Sequence, residues 1–169
     1  MSSFRAILVD PKAKTIQAIV LDSEEYFTQI RDLIEASTLD VVRADNFFGG
    51  HGGTAIYVDD EGLLIDLELQ AFSLVGQKVL AGKFVILREI FVEPVNEDDD
   101  GWRRVDVDFS LEAVRERVIF CNARYATAAL ELGVQEAAAY FVARGMKVER
   151  AGNGLIVTPE AGCAGPAKR

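Results

Sequence analysis

The sequence predicts an α+β fold, in which a mixed or antiparallel sheet with one N-terminal helix is followed by a helical region and a C-terminal β-hairpin. Three observations indicate this class. Short β-branched runs fill most of the chain before residue 95, one amphipathic segment interrupts them, and alanine-rich segments that end at glycine follow. Because the 169 residues are 50% apolar and 27% charged, the chain can bury a core as an ordinary globular protein does.

The first two predicted strands form a hairpin over about residues 4–21. The runs FRAILVD and TIQAIVL are separated by PKAK, whose proline and polar residues favour a turn. Asp22 or Ser23 can then cap a helix over about residues 23–36, where apolar side chains repeat at helical spacing. One amphipathic helix is therefore predicted after the hairpin.

Further strands follow this helix. The segments LDVVRA and TAIYVD predict two strands joined by DNFFGGHGG, which is longer than a two-residue hairpin loop. DDEG predicts a turn, and LLIDLE predicts another strand after it. KFVILREIFVE predicts the longest strand, and its nearly continuous apolar run indicates a central position with both faces covered.

The acidic segment PVNEDDDGW predicts an exposed loop and the main domain boundary, because it combines a proline, a glycine and a run of acids. The predicted organisation is an N-terminal α+β domain over 1–95, the acidic loop over 96–103, a helical subdomain with a closing hairpin over 104–158, and a tail over 159–169.

The predicted helical subdomain begins with one more strand, RRVDVDF. Ser110 can cap a helix that carries Val114 and Val118 on one face. ARYATAALELG and VQEAAAYFVARG predict two further helices that end at Gly133 and Gly145. MKVERAGNGLIVTP predicts the closing hairpin, because AGNG supplies residues that tolerate positive φ.

The net charge of −9 comes from 27 acids against 18 bases, and it opposes close approach to phosphate backbones. The composition therefore disfavours direct nucleic-acid binding. The preferred interpretation of the negative charge is that it keeps the protein soluble, and a protein partner with a basic surface is the alternative. Cys121, in the predicted helical region, and Cys163, in the tail, make no disulfide framework, so both are predicted to be reduced thiols in a cytoplasm. No apolar stretch approaches the length of a membrane span, so no membrane association is predicted.

The glycine-rich connection is the first candidate ligand site. Glycine-rich loops bind phosphate when a helix begins immediately afterwards, but here a strand follows. A flexible connection between two strands is therefore the preferred interpretation, and a small-ligand or nucleotide site is the alternative. The candidate residues for that ligand site are Gly49, Gly50, His51, Gly52 and Gly53.

A divalent cation is another alternative near this connection. His51, the only histidine, and the acids Asp59, Asp60 and Glu61 could supply its ligands. An acidic turn after a strand is more often only solvated, and DDEG lacks the alternating spacing of a calcium loop. The sequence has no recognisable nucleophile motif and predicts no cofactor, so a non-enzyme is favoured over an enzyme.

Two segments are candidates for binding a protein partner. An aromatic pair follows the third strand, and it would serve as a partner site if its rings are exposed. For the acidic run beside the only tryptophan, a solvated loop is the preferred interpretation, and docking onto a basic surface is the alternative. The candidate partner-binding residues are Phe47, Phe48, Glu97, Asp98, Asp99, Asp100 and Trp102.

Four segments, ILVDPKAKTI, LDVVRADN, IYVDDEGLL and LAGKFVIL, make the chain resemble a family of small proteins of unknown function found in phages, plasmids and bacterial genomes. The resemblance covers about residues 4–92, and YVDDEGLL is its most specific part. It implies a mobile-element setting, a location in the host cytoplasm and neighbours with accessory and counter-defence roles. It implies no catalytic residues, and the FFGGHGG insertion and the region after about residue 110 depart from it.

Three functions follow from these observations. The preferred one is a non-enzymatic accessory protein of a phage or mobile element that binds a host or phage protein, as a counter-defence or host-modulating factor. The second is a small-ligand or nucleotide-binding protein, or a weak metal-dependent enzyme, that uses the glycine-rich connection and the acidic turn. The third is a homo-oligomer that assembles through edge strands or alanine-rich helices.

Overall fold

The computed structural model describes residues 2–45, 47–49, 53–64 and 70–159, and these ranges form two β-sheets and four α-helices. In chain order the elements are β1 (Ser3–Asp10), β2 (Thr15–Asp22), α1 (Tyr26–Ile34), β3 (Leu39–Arg43), β4 (Gly53–Asp59), β5 (Phe72–Val75), β6 (Lys78–Ala81), β7 (Phe84–Phe91), β8 (Trp102–Val105), α2 (Leu111–Arg117), β9 (Val118–Cys121), α3 (Ala123–Leu132), α4 (Val134–Val142), β10 (Met146–Ala151) and β11 (Gly154–Pro159). The predicted α+β class is confirmed, with strands as the main element.

The first sheet has the strand order β2-β1-β7-β4-β3, and all of its pairings are antiparallel. Strand β4 pairs along one edge of β7, while β1 and then β8 pair along the other edge. Residues 84–89 of β7 are all buried, which explains its nearly continuous apolar sequence. Strand β7 is central, and its eight residues equal those of β1 and β2, so it shares the greatest strand length within the described residues.

The second sheet, with the order β10-β11-β9-β5-β6, joins segments from both sides of the acidic connection. Strands β5 and β6 precede that connection, whereas β9, β10 and β11 follow it, and β9 pairs in parallel with β11. Conversely, β8 follows most of the acidic connection and pairs with β7 of the first sheet. Strand pairing therefore does not divide the chain at 96–103, and two separate domains on either side stay a prediction.

The two sheets pack face to face around one shared apolar cluster. Ile7, Ile56 and Ile86 enter this cluster from the first sheet, and Val75 and Phe120 enter it from the second. Helix α1 covers the outer face of the first sheet, and helices α3 and α4 cover the outer face of the second. Because successive side chains of β7 alternate between the shared cluster and α1, apolar residues are required on both of its faces.

Three segments differ from their predicted structure. The helix that Ser110 caps ends at Arg117, so Val118 and Cys121 lie on strand β9 and not on a helix. Their stretch, VIFC, is rich in β-branched and aromatic residues, and β5 pairs with it along its whole length. The sequence pattern does not predict the β5–β6 hairpin. Of the predicted strand LLIDLE, the two leucines lie in a turn and the rest lies outside the described residues.

Candidate functional site

Aromatic side chains anchor the glycine-rich connection between β3 and β4. Phe48 is 2% exposed and lies in the shared core, where its ring stacks on Phe109 with 5.4 Å between the centroids. Phe47 is half-buried and packs edge-on against Phe48, with 5.0 Å between the centroids. A partner site at this aromatic pair requires exposed rings, and Phe48 does not meet that condition.

The predicted ligand residues of this connection are only partly described. Gly49 has a φ of 82°, and its carbonyl accepts a hydrogen bond of 2.9 Å from a buried arginine of β7. Gly53 is the first residue of β4. Gly50, His51 and Gly52 lie outside the described residues. A ligand site at this connection therefore stays a prediction.

The acidic turn after β4 is held by its own hydrogen bonds. Asp59 Oδ1 accepts a hydrogen bond of 3.1 Å from the Glu61 backbone, and Glu61 Oε2 accepts one of 3.1 Å from Ser37 Oγ. Asp60 is exposed. Within the described ranges, no group of three or more histidine, cysteine, aspartate or glutamate side chains is arranged to hold an ion. Since His51 lies outside those ranges, the complete predicted metal set stays a prediction.

The connection from β7 to β8 folds around Asp99. This carboxylate accepts hydrogen bonds from the backbone N–H groups of Val95 (3.2 Å) and Gly101 (3.0 Å), and from Arg103 Nη1 (2.8 Å). The Arg103 hydrogen bond, followed by the two backbone hydrogen bonds, holds the pKa of Asp99 well below its ordinary value. Asp99 is thus an internal anchor of the loop and not one of its outward-facing acids.

A glycine closes the same loop against the end of β7. Gly101 has a φ of 74°, and a Cβ there would lie 2.6 Å from the Val92 carbonyl oxygen and 2.7 Å from the Phe91 ring. The Gly101 carbonyl accepts a hydrogen bond of 2.8 Å from the Val92 backbone. Asp100 Oδ1 accepts another, of 2.9 Å, from the Trp102 backbone. These local contacts hold the loop in one conformation.

Large apolar side chains are exposed at this loop. Phe91 is 61% exposed and Val95 is 85% exposed, and Val92 is exposed as well. Trp102 is half-buried and packs edge-on against Phe91, with 5.5 Å between the ring centroids. Together with the exposed acids around them, these side chains form a surface that we call the acidic–aromatic patch. Its residues are Phe91, Val92, Glu93, Val95, Glu97, Asp98, Asp100 and Trp102.

A buried carboxylate links the acidic–aromatic patch to the sheet. Glu89 is 1% exposed, its Oε1 lies 3.2 Å from Arg104 Nε, and it forms a second ion pair with Arg43. The Arg43 guanidinium lies over the Trp102 ring, 5.1 Å from its centroid. The orientation of the tryptophan ring therefore depends on a charge inside the sheet.

Two tyrosines adjoin this ion-pair network. The Arg104 guanidinium lies 4.9 Å from the centroid of the Tyr26 ring. Burial, together with the nearby Tyr26 and Glu89, raises the pKa of Tyr57 well above its ordinary value. Tyr57 therefore stays neutral at physiological pH and adds no charge to the network.

The opposite face of β7 carries a second buried charge. Arg88 donates a hydrogen bond of 2.8 Å to Thr54 Oγ1 and another to the Gly49 carbonyl. Its Nε lies 3.0 Å from Asp108 Oδ1, but the geometry there is that of an ion pair without a hydrogen bond. Arg88 thus joins the glycine-rich connection to the segment that precedes α2.

The sequence interpretation misses several of these residues. Arg88 and Glu89 could be found from the sequence, because they are adjacent charged residues inside an otherwise apolar run. Charged side chains in such a run are expected to be buried and paired. Phe91, Val92 and Val95 leave no such signal, because apolar residues at the end of a strand are typical of a core. The predicted acids and Trp102 do lie together in the acidic–aromatic patch, with Asp99 beneath them.

Comparisons with known proteins add no family to this description. No protein-family model matches the chain, and no curated protein or solved structure matches it significantly. The resemblance over residues 4–92 therefore stays a prediction. Among the helices of the described ranges, none is both long and apolar enough to cross a membrane.

Proposed function

We propose that the protein is a non-enzymatic accessory protein that binds a protein partner through the acidic–aromatic patch. The observation that carries this proposal is the exposure of Phe91, at the end of β7, and of Val95, on a loop that hydrogen bonds to Asp99 stabilise. Exposed apolar side chains that are rimmed by polar ones mark interaction sites. The partner chemistry that fits is an apolar pocket with a basic rim.

The rigidity of the loop supports a binding role. Ordering a loop on association costs free energy, and a loop that is already ordered avoids this cost. Trp102 is an aromatic anchor of the kind that dominates interface energetics, and its ring contacts both the Arg43 guanidinium and the Phe91 ring. The outward-facing acids then serve to steer a basic partner toward the anchor.

The setting proposed for this binding is a phage or mobile element, with a host or phage protein as the partner. The support for it is the resemblance of residues 4–92 to small mobile-element proteins, together with the net charge of −9. In this setting the protein acts as a counter-defence or host-modulating factor in the host cytoplasm.

The test compares two valine substitutions at exposed positions. Val95→Asp alters the acidic–aromatic patch, and Val20→Asp alters a similarly exposed valine on β2, which is 67% exposed. Tagged wild-type protein, incubated with bacterial lysate, is expected to retain a stoichiometric partner that salt releases. We expect Val20→Asp to retain that partner and Val95→Asp to lose it, with at least tenfold weaker binding to the purified partner.

Two results would contradict the proposal. One is a partner retained equally by both variants, because the contact would then lie elsewhere. The other is a mass that rises with concentration for the wild type but not for Val95→Asp, because the patch would then bind a second copy of the chain and not a foreign protein. Circular dichroism establishes that both variants are folded.

A further inference from the structure

A wide groove lies on a different part of the molecule and is lined by residues from segments of both sheets. Its volume is about 1400 Å³. Its walls come from the β1–β2 turn, the residues before β5, helix α2, strand β9, the start of α3 and the β10–β11 turn. Ligand pockets commonly measure about 300–1,000 Å³, so a groove of this size can hold an elongated ligand with room for water.

Among the residues that the structure describes, the charged side chains lining the groove are all basic, although the chain is acidic. Lys12, Lys14, Arg115 and Arg124 line it, and no aspartate or glutamate lines it among the residues that the structure describes. Two carboxylates lie beside the groove: Glu112 Oε2 lies 3.5 Å from Arg115 Nη1, and Asp10 Oδ1 accepts a hydrogen bond of 2.9 Å from the Lys12 backbone. The four cations come from three separate elements, so tertiary packing and not a local run of basic residues brings them together.

The first turn of α3 adds further donors to this groove. Asn122 caps the helix by accepting a hydrogen bond of 3.0 Å from the Tyr125 backbone, and Asn122, Ala123 and Arg124 all line the groove. This turn holds no acidic side chain. An acidic side chain in this first turn would stabilise the positive end of the helix dipole, but the turn carries Arg124 instead. The turn therefore presents backbone N–H groups beside a guanidinium, and both kinds of group bind phosphate.

The floor of the groove is partly apolar. Phe120 of β9 and Ile156 of β11 line it beside Gly154, and Ile156 is exposed. The β9–β11 pairing extends over only two residue pairs, so the floor is open beyond Leu155. A ligand that fills the groove therefore needs an apolar or planar part as well as an anionic part.

We propose that this groove binds a phosphate-bearing small ligand of the nucleotide class. Its phosphates lie between Arg115, Arg124 and the start of α3, and Lys12 and Lys14 face them from the β1–β2 turn. The planar part of the ligand lies on the exposed Ile156, beside the edge of the buried Phe120. This site is separate from the acidic–aromatic patch and from the glycine-rich connection, so it does not depend on the proposed partner binding.

Isothermal titration in phosphate-free buffer tests the proposal with four probes, which are ATP, AMP, tripolyphosphate and adenosine. We expect ATP to bind most tightly, because only ATP combines a triphosphate for the cationic wall with a base for the apolar floor. Adenosine is expected to bind at least tenfold more weakly, because it lacks the phosphate contacts. Raising the salt concentration is expected to weaken ATP binding and to leave adenosine unchanged.

Matched variants locate the site. Arg124→Gln and the double variant Lys12→Gln with Lys14→Gln are each expected to weaken ATP binding about tenfold or more, as the loss of charge-assisted contacts predicts. Arg117→Gln lies on the same helix as Arg115 but does not line the groove, and it is expected to change ATP affinity less than twofold. All of these side chains are exposed, so the variants are expected to fold, and their melting temperatures check this.

Three results would overturn the proposal. The first is no ATP binding at millimolar concentration. The second is ATP binding that Arg117→Gln weakens as much as Arg124→Gln does, because general electrostatic attraction would then explain it. The third is displacement of ATP by a poly-glutamate peptide or a single-stranded oligonucleotide that binds more tightly than ATP does, because the groove would then serve a polymer.

Discussion

The acidic–aromatic patch and the basic groove have opposite charge and are built in opposite ways. A single hairpin forms the patch, and hydrogen bonds within about ten residues set its shape around Asp99 and Gly101. The groove is lined by five separate stretches of the chain, which tertiary packing brings together. This difference shows that the net charge of −9 is a property of the whole chain and does not predict the local charge of either site.

The two regions also differ in how they depend on the core. The patch rests on a buried charge, because Glu89 holds Arg43 against Trp102. The groove rests on the packing of the two sheets, because its walls come from both of them. Substitutions in the core are therefore expected to affect the two regions separately, and the predictions below use this separation.

The largest effect is expected from Glu89→Leu. Removing the carboxylate leaves Arg43 and Arg104 without this counter-charge, and breaking a fully buried ion pair costs roughly 3–5 kcal/mol. Because Arg43 can reach solvent, we expect a smaller loss of about 3 kcal/mol in the free energy of unfolding, measured by urea denaturation.

The control for this substitution is Glu93→Leu, which alters an exposed acid at the same end of β7. It is expected to change the free energy of unfolding by less than about 0.5 kcal/mol. A loss of similar size in both variants would show that Glu89 does not act through its buried ion pairs.

The next largest effect is expected from Gly101→Ala. The positive φ and the close approach of the Val92 carbonyl both oppose a side chain there, so we expect a loss of about 2 kcal/mol in the free energy of unfolding. Gly152→Ala is the matched control, since Gly152 has a φ of 59° but nothing within 4 Å of an added Cβ. It is expected to cost about 1 kcal/mol, and an equal cost at both positions would count against steric closure of the loop.

A smaller, pH-dependent effect is expected from Asp99→Asn. The pKa of Asp99 is depressed in the folded protein, so its ionised carboxylate stabilises the fold above the ordinary aspartate pKa of about 4. This stabilisation is lost as the pH falls from about 4 through the folded-state pKa. The difference in melting temperature between wild type and Asp99→Asn should therefore be constant near neutral pH and should shrink below about pH 4. A constant difference down to pH 2 would contradict the assignment.

The smallest effect is expected from Cys121→Ala in the groove. Burial raises the pKa of Cys121 to about 12, so the thiol is neutral near pH 7 and has no charge to repel an anion. ATP affinity should therefore change less than twofold in this variant, with the same ratio to wild type from about pH 7 to pH 9. A ratio that changes over this interval would indicate that the thiol ionises within the groove.

Local patterns predicted part of the patch and none of the groove. The acids and Trp102 are adjacent in the chain, so their joint position at one loop follows from sequence alone. The role of Asp99 does not, because its neighbours in the run have the same charge and only the fold of the loop selects which carboxylate turns inward. Lys12 and Arg124 are too far apart in the chain for any local pattern to connect them.

The sequence by itself determined the α+β class, the apolar character of the central strand β7 and the cap at Ser110, because strand periodicity, turn residues and helix caps act over a few residues. Only the tertiary structure decided that VIFC is a strand, that β8 joins the first sheet and which charged groups pair with Arg88 and Glu89. The physical reason is that strands are stabilised by partners distant in the chain, whereas turns and caps are stabilised by their neighbours.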